Sequence, residues 1–480
     1  MADWKMTIGI ECHVQLATKT KLFSPADNDA RGREPNSVVH SIDYGLPGML
    51  PLLNKEAIRL AVRAAKALNA EVATVSRFDR KHYFYPDLPM GYQITQMYHP
   101  TIGAGHVEVP LLDGTTVTVR IHHAHLESDA GKQTHFSDHT LVDLNRAGTP
   151  LIEIVSEPDM HSAAEARAFS TELYRLMTYA GVTHGDLYNG NMRFDVNVSV
   201  AKGDSNTLGN RAEVKNLNSF RSVEKAAEYE FNRQVELLER GEVIVQETRG
   251  WNDAKQKTFS QRSKEDAQDY RYMPDADIPP VVLEKKEIEE IQSQVGMLPA
   301  DYRAAFLGLS LDSSVVNTLL ANQSHAALIY EIKKSSNEYA VRVANWFSSV
   351  FKSPDEDGTD ARNETLPGVG DLVLLAEMTV KSEISSTAAK EIFLALVAGE
   401  TDPHTIAESR DLLQVSDEAS VLGIVEEVLA DSGSSRSIAD IQAGNDKAIG
   451  YLVGQVMKKS MGKANPALAQ KLLRERIKNS

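Results

Sequence analysis

Glu11 and His13 lie two positions apart in a stretch, Ile8 to Leu16, whose apolar and polar residues alternate strictly. A period of two is typical of a half-buried strand, and it places both side chains on the polar face, roughly 6–7 Å apart. At that spacing the two groups could bind one metal ion or act as an acid–base pair. The alternative is an edge strand whose polar face is simply solvated.

Two later stretches carry similar groups. Val119 to Asp129 also alternates, and the pattern predicts that one face carries Ile121, His123, His125, Glu127 and Asp129. Glu153 lies inside an apolar run, where a lone carboxylate needs a cation, a metal ion or a proton. Arg146 could be that cation, and metal ligation is the alternative. The candidate metal ligands, which are also the candidate catalytic residues, are Glu11, His13, Glu127 and Glu153.

A third group of polar side chains begins within the alternating stretch Met192 to Val200. Its polar face carries short donors and acceptors, whereas a solvated face would more often carry Lys, Glu and Thr, so a bound ligand is favoured. Arg211 to Lys215 repeats the scheme. The candidate cofactor-binding residues are Arg193, Asp195, Asn197, Ser199, Lys215, Asn216 and Asn218.

Two segments have the composition of a nucleic-acid contact. Asp79 to Gln93 combines charges, aromatic rings and prolines, which predicts an extended loop in which Tyr83 and Tyr85 could stack on bases. Pinning of the loop to the core by its rings is an equally good explanation. From Lys447 onward, the sequence contains eight Lys and Arg residues and one acid, Glu475, so a phosphate backbone could dock there. Candidate contacts are Lys458, Lys459 and Lys463, and a solvated helix face is the alternative.

Composition limits the remaining possibilities. The chain has 480 residues and a net charge of −16, so it is not a general polyanion binder and any nucleic-acid contact must be local. Cys12 is the only cysteine, which excludes an internal disulfide and a cysteine-based zinc site. It lies on the apolar side of its strand. The chain starts without an apolar leader, and no segment approaches the length of a membrane span. We therefore expect a cytoplasmic protein without a membrane partner.

The elements that must position these groups change in character along the chain. Strand patterns and three helices, Ile58–Leu68, Ser162–Ala180 and Ser222–Arg240, occupy the first part, and Arg31 to Pro51 is expected to be irregular. Helical periodicity dominates from about Lys285 onward, and the acidic stretch from Ser353 to Glu364 is expected to be a flexible insertion. The pattern predicts an α+β protein.

Several of these stretches resemble one known family, and the resemblance covers essentially the whole chain. The matching residues are Ile8 to Leu16, Asp79 to Asp87, Leu126 to Lys132, Leu141 to Asp159, Val214 to Phe220, Gln246 to Arg249, Asp269 to Tyr272 and Gly450 to Pro466. They are similar to the B subunits of the aspartyl/glutamyl-tRNA(Asn/Gln) amidotransferases.

The resemblance implies a β-rich cradle domain with flanking helices over residues 1–292, an all-helical middle domain over 293–402 and a small helical tail that binds tRNA over 403–480. It implies an ATP- and Mg²⁺-dependent enzyme that phosphorylates the side-chain carboxylate of Glu-tRNA(Gln) or Asp-tRNA(Asn). Ammonia then displaces phosphate, giving Gln-tRNA(Gln) or Asn-tRNA(Asn). The ammonia would come from the amidase (A) subunit of the same amidotransferase, and its small (C) subunit would help to hold the two larger subunits together.

The same resemblance would assign the metal to Glu11, His13, Glu127 and Glu153. Many relatives carry paired cysteines in the stretch that matches Phe23 to Tyr44, and this chain has none, so we expect no zinc. Relatives tend to have Lys where this chain has Met90, and two consecutive acids where it has Glu127-Ser128. Two other kinds of protein stay open at this point, a tRNA-binding scaffold without chemistry and a stand-alone metal hydrolase.

Overall fold

The computed structural model of the chain describes residues 4–203, 207–263, 269–351, 366–414, 418–443, 445–460 and 462–478. The chain forms two compact units, Met1–Asp301 and Tyr302–Ser480. The first is built on a large sheet and the second is helical, which confirms the predicted α+β class. The predicted domain boundaries at residues 292 and 402 stay predictions. Among the described residues, no helix is both long and apolar enough to cross a membrane.

In the part of the chain that the structure describes, all strands lie in the first unit. In chain order they are β1 (Trp4–Gln15), β2 (Val75–Ser76), β3 (Asp79–His82), β4 (Tyr92–Thr95), β5 (Gly105–Pro110), β6 (Thr116–Ser128), β7 (Lys132–His135), β8 (Thr140–Asp143), β9 (Pro150–Ser156), β10 (Met192–Lys202), β11 (Arg211–Leu217), β12 (Glu247–Asn252), β13 (Lys257–Ser263), β14 (Met273–Pro274) and β15 (Val281–Val282). Eight of them form one sheet in the order β13-β12-β11-β10-β1-β9-β6-β5. Neighbouring strands in this sheet are antiparallel, except for the parallel pair β11 and β12. The strand order places β1, the first strand in the sequence, near the middle of the sheet.

The helices are distributed over both units. In chain order they are α1 (Lys55–Ala67), α2 (Ala163–Tyr179), α3 (Phe220–Glu239), α4 (Lys285–Gln292), α5 (Pro299–Phe306), α6 (Ser313–Leu320), α7 (Gln323–Ser335), α8 (Asn337–Val350), α9 (Val369–Val380), α10 (Ser386–Val397), α11 (Pro403–Ser409), α12 (Glu418–Ala430), α13 (Ser435–Gln442), α14 (Ile449–Lys459) and α15 (Pro466–Lys478). Helix α2 begins at a capping box, where the Ser162 hydroxyl accepts from the backbone amide of Glu165. The three predicted helices of the first part are confirmed, with ends shifted by a few residues.

One core joins the sheet to helices α1, α2 and α3. The apolar side of β1 is fully buried in it, from Ile8 and Ile10 through Cys12 to Val14 and Leu16, as the alternation predicts. Ile152 and Ile154 of β9 enter the same core, as do the residues of β10 from Met192 to Val198 that alternate with polar ones. The opposite face of these central strands is therefore left for polar side chains.

Strand β6 departs from the predicted assignment of faces. Its register shifts between Ile121 and His123, so the strand carries a bulge there. Ile121 is consequently buried in the core with Ala124 and Leu126, and the prediction that it shares a face with His123 and the residues after it was wrong. An extra residue reverses the alternation, and strict period-two reading cannot see it.

The segments around the sheet follow the sequence pattern in part. Residues 31–51 contain neither helix nor strand, as predicted. The stretch Asp79–Gln93 was predicted to be one extended loop, but its ends are the paired strands β3 and β4 and the loop between them contains turns. The predicted insertion from Ser353 to Glu364 lies outside the described residues.

A buried ion pair joins the irregular segment to the residues that follow β1. The Lys21 side chain is fully excluded from solvent, and its Nζ lies 3.1 Å from Asp43 Oδ2. The same carboxylate oxygen accepts from the Ser24 hydroxyl at 3.1 Å and from the His40 amide at 2.9 Å. Gly148 approaches so closely that a Cβ there would lie 2.8 Å from Asp43 Oδ1. Lys21 and Asp43 thus hold two backbone segments together, and a side chain at position 148 would disturb the pair.

Candidate active site

The polar face of the sheet gathers charged side chains from five neighbouring strands, β6, β9, β1, β10 and β11. On this face His13 of β1 is paired in register with Glu153 of β9 on one side and with Arg193 of β10 on the other. Glu11 is paired with Asp195. The strand order therefore brings together groups that lie up to about 200 residues apart in the sequence.

The first acidic group consists of His13, Glu127 and Glu153. His13 Nε2 lies 3.6 Å from Glu127 Oε1 and 3.4 Å from Glu153 Oε2, so one ligand atom from each residue converges on a common point. Such separations are longer than good hydrogen bonds and match the ligand-to-ligand spacing round an ion bound at roughly 2.0–2.2 Å. Burial lowers the pKa of His13, but the two carboxylates outweigh it and raise the pKa to about 9.

The second acidic group consists of Glu11, Asp195 and Glu213, whose nearest carboxylate oxygens all lie within 4.8 Å of one another. Burial and the neighbouring charge of Glu153 raise the pKa of Glu11. Lys215 Nζ lies 2.8 Å from both Asp195 Oδ2 and Glu213 Oε1. The structure thus distributes the four predicted ligands over two groups, with Glu11 in a different group from the other three.

Two open cavities adjoin these groups. The first, of about 220 Å³, is lined by His13, Glu127, Glu153, Asp195 and Lys215 together with Lys81, Tyr83, Gln93, Asp129, Ala130, Arg193 and Asn216. The second, of about 290 Å³, is lined by Glu11, Asn197 and Ser199 together with Thr7, Gly9, Ile10, Val155, Ser156, Pro158, Leu208, Gly209, Asn210, Arg211 and Gln246. Each acidic group therefore has space beside it for a small ligand.

Lys81 is a site residue that the sequence analysis did not single out. Its ammonium lies 4.9 Å from the ring centroid of Tyr270 and 6.0 Å from that of Tyr83, so aromatic faces hold it at the first cavity. Burial opposes its charge, yet Glu127 and other nearby groups raise the pKa of Lys81. The ammonium is thus kept charged beside the first acidic group.

Arg193 is held in the first cavity by a carboxylate. It donates to Asp129 Oδ2 at 3.0 Å, and Arg146 approaches the same oxygen at 3.4 Å. Arg146 also donates to the carbonyl oxygens of Ala130 and Gly131. Arg146 is therefore engaged at Asp129, whereas the neighbours of the carboxylate at position 153 are histidines.

The other predicted cofactor-binding residues are distributed along the same face. Asn197 donates its amide to Glu11 Oε1 at 3.1 Å, and Ser199 lines the second cavity. Asn216 has a left-handed backbone conformation, with φ 60°, and its backbone N–H donates to Asp195 Oδ1 at 2.8 Å. Asn218 is exposed and is not among the residues that line either cavity.

The histidines of β6 form a row that ends at the first acidic group. His122 and His123 approach through their Nδ1 atoms at 2.7 Å, and His123 Nε2 lies 3.2 Å from His125 Nδ1. His125 Nε2 lies 3.6 Å from Glu153 Oε2. Burial lowers the pKa of His123 to about 4, so this ring is neutral at pH 7.

The aromatic loop borders the first cavity. The ring centroid of Tyr83 lies 6.0 Å from that of Tyr85 and 6.1 Å from that of Tyr270, both with edge-to-face geometry. Tyr83 lines the cavity, while Tyr85 and its neighbour Phe84 are largely exposed. The rings thus extend from the cavity to the surface, which is the arrangement that stacking on unpaired bases requires.

The predicted lysines of the tail lie in the second unit. Lys458 is exposed, Lys459 lies 2.7 Å from Glu427, and Lys463 contacts Asp411. Acids from neighbouring elements therefore balance part of a segment whose own sequence is strongly basic. Exposed pairs of this kind contribute little to stability, so a phosphate group could replace the acid.

Comparison with known proteins gives a consistent result over the whole chain. Residues 6–289 match the family described as GatB/GatE catalytic domain, and residues 328–477 match the GatB domain. The chain is 44% identical over 484 residues to the B subunit of the aspartyl/glutamyl-tRNA(Asn/Gln) amidotransferase of Alkalilimnicola ehrlichii, covering 99% of each chain. It is 44% identical over 481 residues to the protein of the same name from Alcanivorax borkumensis, covering 99% of this chain and 100% of the relative.

Proposed function

Because the chain belongs to the family of B subunits of the aspartyl/glutamyl-tRNA(Asn/Gln) amidotransferases, we propose that the polar face of its sheet phosphorylates and amidates the attached amino acid. The chain is a component of the glutamine-dependent ligase complex that forms Gln-tRNA and Asn-tRNA. The observation that carries the proposal is that two acidic groups lie side by side on one sheet face, next to two cavities, with Lys81 and Lys215 lining the first cavity.

The reaction needs an activated carboxylate because a free carboxylate is a poor acyl donor to ammonia. We propose that the γ-phosphoryl group of ATP passes to the side-chain carboxylate of Glu-tRNA(Gln) or Asp-tRNA(Asn), which gives an acyl phosphate and ADP. Ammonia then attacks the acyl carbon, and phosphate leaves. Both steps place negative charge where preorganised cations can stabilise it.

The acidic groups fit Mg²⁺. Five carboxylates on one sheet face would repel a triphosphate, so a polyanion can bind here only together with cations. Carboxylate oxygens are the ligands that Mg²⁺ prefers, and the buried Asn197 Oδ1 has no hydrogen-bond partner among the described residues. We propose that the ligands are His13, Glu127 and Glu153 for one ion and Glu11, Asp195 and Glu213 for another. When bound, Mg²⁺ supplies charge neutralisation for the phosphoryl group.

The chain's own cations orient the anionic groups. Lys81 stays charged at the edge of the first acidic group, and Arg193 is fixed by Asp129 in the same cavity. A carboxylate or phosphate entering this cavity would meet both cations. We propose that the nucleotide occupies the second cavity, with its phosphates extending past Glu11 toward the first cavity, where the aminoacyl end of tRNA enters.

The proposed contacts with tRNA lie in both units. The rings of Tyr83 and Tyr85 suit the unpaired 3′ end, since bases stack on aromatic side chains. Lys458, Lys459 and Lys463 suit the phosphate backbone. Neither kind of contact depends on the identity of the bases.

The nitrogen donor is proposed to come from partner proteins. Cys12 is buried, and burial raises the pKa of its thiol, so this group is not a ready nucleophile for releasing ammonia from glutamine. We propose that the amidase (A) subunit releases ammonia and that the small (C) subunit helps to hold the two larger subunits together. A closed conduit would keep the ammonia unprotonated.

Glu153→Gln tests the proposal in the complex reconstituted with the amidase and the small subunit. The two measurements are ATP turnover in the presence of misacylated tRNA and the affinity for that tRNA. We expect turnover to fall by at least ~100-fold while the affinity for tRNA stays near wild type. Glu108→Gln, on the exposed side of edge strand β5, is the matched control.

Persistence of turnover in Glu153→Gln would remove the first acidic group from the mechanism. A scaffold without chemistry predicts that neither substitution changes turnover. A stand-alone hydrolase predicts activity without ATP or partner proteins, and incubation of the isolated chain with misacylated tRNA would reveal it.

A further inference from the structure

Lys215 occupies the position between two carboxylates of the second acidic group. Its ammonium lies 2.8 Å from Asp195 Oδ2 and 2.8 Å from Glu213 Oε1. These distances are those of charge-assisted hydrogen bonds, so the lysine is the cation that now balances this part of the group. A divalent ion bound by the same oxygens would need the space that the ammonium fills.

Each acid of the group also accepts a hydrogen bond from a neutral donor. Asn197 Nδ2 donates to Glu11 Oε1 at 3.1 Å. The backbone N–H of Asn216 donates to Asp195 Oδ1 at 2.8 Å. The Thr248 hydroxyl donates to Glu213 Oε2 at 3.1 Å. These donors belong to three different strands or strand ends. The carboxylates can therefore keep their places when the ammonium leaves.

A separate observation adds a candidate oxygen ligand to this group. Asn197 is more than nine-tenths buried, and its Oδ1 has no hydrogen-bond partner among the described residues, although its amide nitrogen is bound to Glu11. An unpaired buried carbonyl oxygen is costly, and it is a suitable ligand for a hard cation or for a water molecule bound to one.

Lys215 also has space into which it can move. Its side chain is 36% exposed and lines the first cavity, of about 220 Å³. Lys81, by contrast, is held at the same cavity by the rings of Tyr83 and Tyr270. Of these two lysines, Lys215 is the one whose ammonium can be exchanged.

We propose that Lys215 is a tethered counter-cation, which occupies the place of a divalent ion between Asp195 and Glu213 and turns to the phosphates when the metal–nucleotide complex binds. This inference rests on the proposed function, because it requires that the second acidic group holds a metal ion. In the free protein the lysine keeps three carboxylates from repelling one another. When a divalent ion arrives, like charge expels the ammonium toward the incoming polyanion.

The test compares two equilibria that should shift in opposite directions. In Lys215→Met, binding of Mn²⁺ alone should become at least ~10-fold tighter, because no internal cation competes with it. Binding of a non-hydrolysable ATP analogue with Mg²⁺ should become at least ~10-fold weaker, because a contact with phosphate is lost. Electron paramagnetic resonance of free Mn²⁺ and calorimetry with the analogue measure the two. Lys202→Met, an exposed lysine on strand β10, is the matched control.

A purely structural lysine predicts a different outcome. Its removal would leave Mn²⁺ affinity unchanged or weaken it, and either result would overturn the inference. Glu213→Gln in the Lys215→Met background should abolish the tighter binding, which assigns it to this group. Lys215→Gln keeps a polar contact with the acids, and it replaces Lys215→Met if that variant does not fold.

The failure of this inference can be separated from failure of the proposed function. If the wild type and every variant bind no Mn²⁺, the metal sites of the proposed function are refuted. If the wild type binds Mn²⁺ and Lys215→Met binds it equally well, only the role of Lys215 is refuted. The Mn²⁺ binding that His13→Ala removes belongs to the first group. We expect His13→Ala to remove the same amount of binding from the wild type and from Lys215→Met.

Discussion

Replacement of Lys21 by Met should destabilise the first unit, because it breaks the buried pair that Lys21 forms with Asp43. Neither side chain has access to water beyond 3% of its surface. Burial lowers the pKa of Lys21, which shows that the carboxylate only partly compensates for desolvation. The pair should therefore respond to single and double substitutions in different ways.

The magnitudes follow from the remaining partners. Breaking a buried pair costs about 3–5 kcal/mol. In Lys21→Met, Asp43 keeps the Ser24 hydroxyl and the His40 amide as donors, so we expect the lower end, about 3 kcal/mol. Asp43→Asn should cost about as much. The double variant retains an acceptor at position 43 and an apolar stem at position 21, so it should lose only about 1 kcal/mol.

Urea unfolding followed by tryptophan fluorescence measures these values. Trp4 and Trp251 report on the first unit, and Trp346→Phe removes the signal of the second. Lys19→Met, at an exposed lysine of the same segment, is the control and should change stability by less than about 0.5 kcal/mol. Equal effects of Lys19→Met and Lys21→Met, or additive effects in the double variant, would refute the reasoning.

Two further predictions concern the second unit. Burial lowers the pKa of His325 to about 4. The unfolded chain therefore binds a proton first as the pH falls, and the free energy of unfolding should drop by about 3 kcal/mol between about pH 6.5 and 4. Urea midpoints at several pH values should show that His325→Leu loses this part of the slope, and an unchanged slope would contradict the assignment. Deleting residues 447–480 should weaken tRNA binding and reduce its dependence on salt, as filter binding would measure. A deletion that left the salt dependence unchanged would argue against tRNA contact by the tail.

Much of the sheet could be predicted from its residues. In β1 and β10 apolar side chains alternate with polar ones without interruption, so the strands and their buried faces follow from the pattern. Strand β6 shows the limit, because one extra residue between Ile121 and His123 reverses the faces before and after it. A bulge depends on the partner strand, and the partner is not visible locally.

The site could be predicted in part for the same reason. The proposal that Glu11, His13, Glu127 and Glu153 act together came from residue types and resemblance, but the division into two groups depends on register between strands. Glu213 lies two positions before Lys215 and alternates with Ala212 and Val214, so its place on the polar face was visible in the sequence. Lys81 lies among other charges in an extended segment, where nothing local distinguishes it from a solvated lysine.

The central position of β1 has a consequence for the synthesis of the protein. This strand, Trp4–Gln15, is made before its two partners, Pro150–Ser156 and Met192–Lys202. At roughly 5–20 residues per second, the ribosome needs about 10 to 40 s to complete them. During that time an apolar strand with two open edges is exposed in the nascent chain. Chaperone binding to ribosome-bound chains should therefore end only after the second partner strand has emerged.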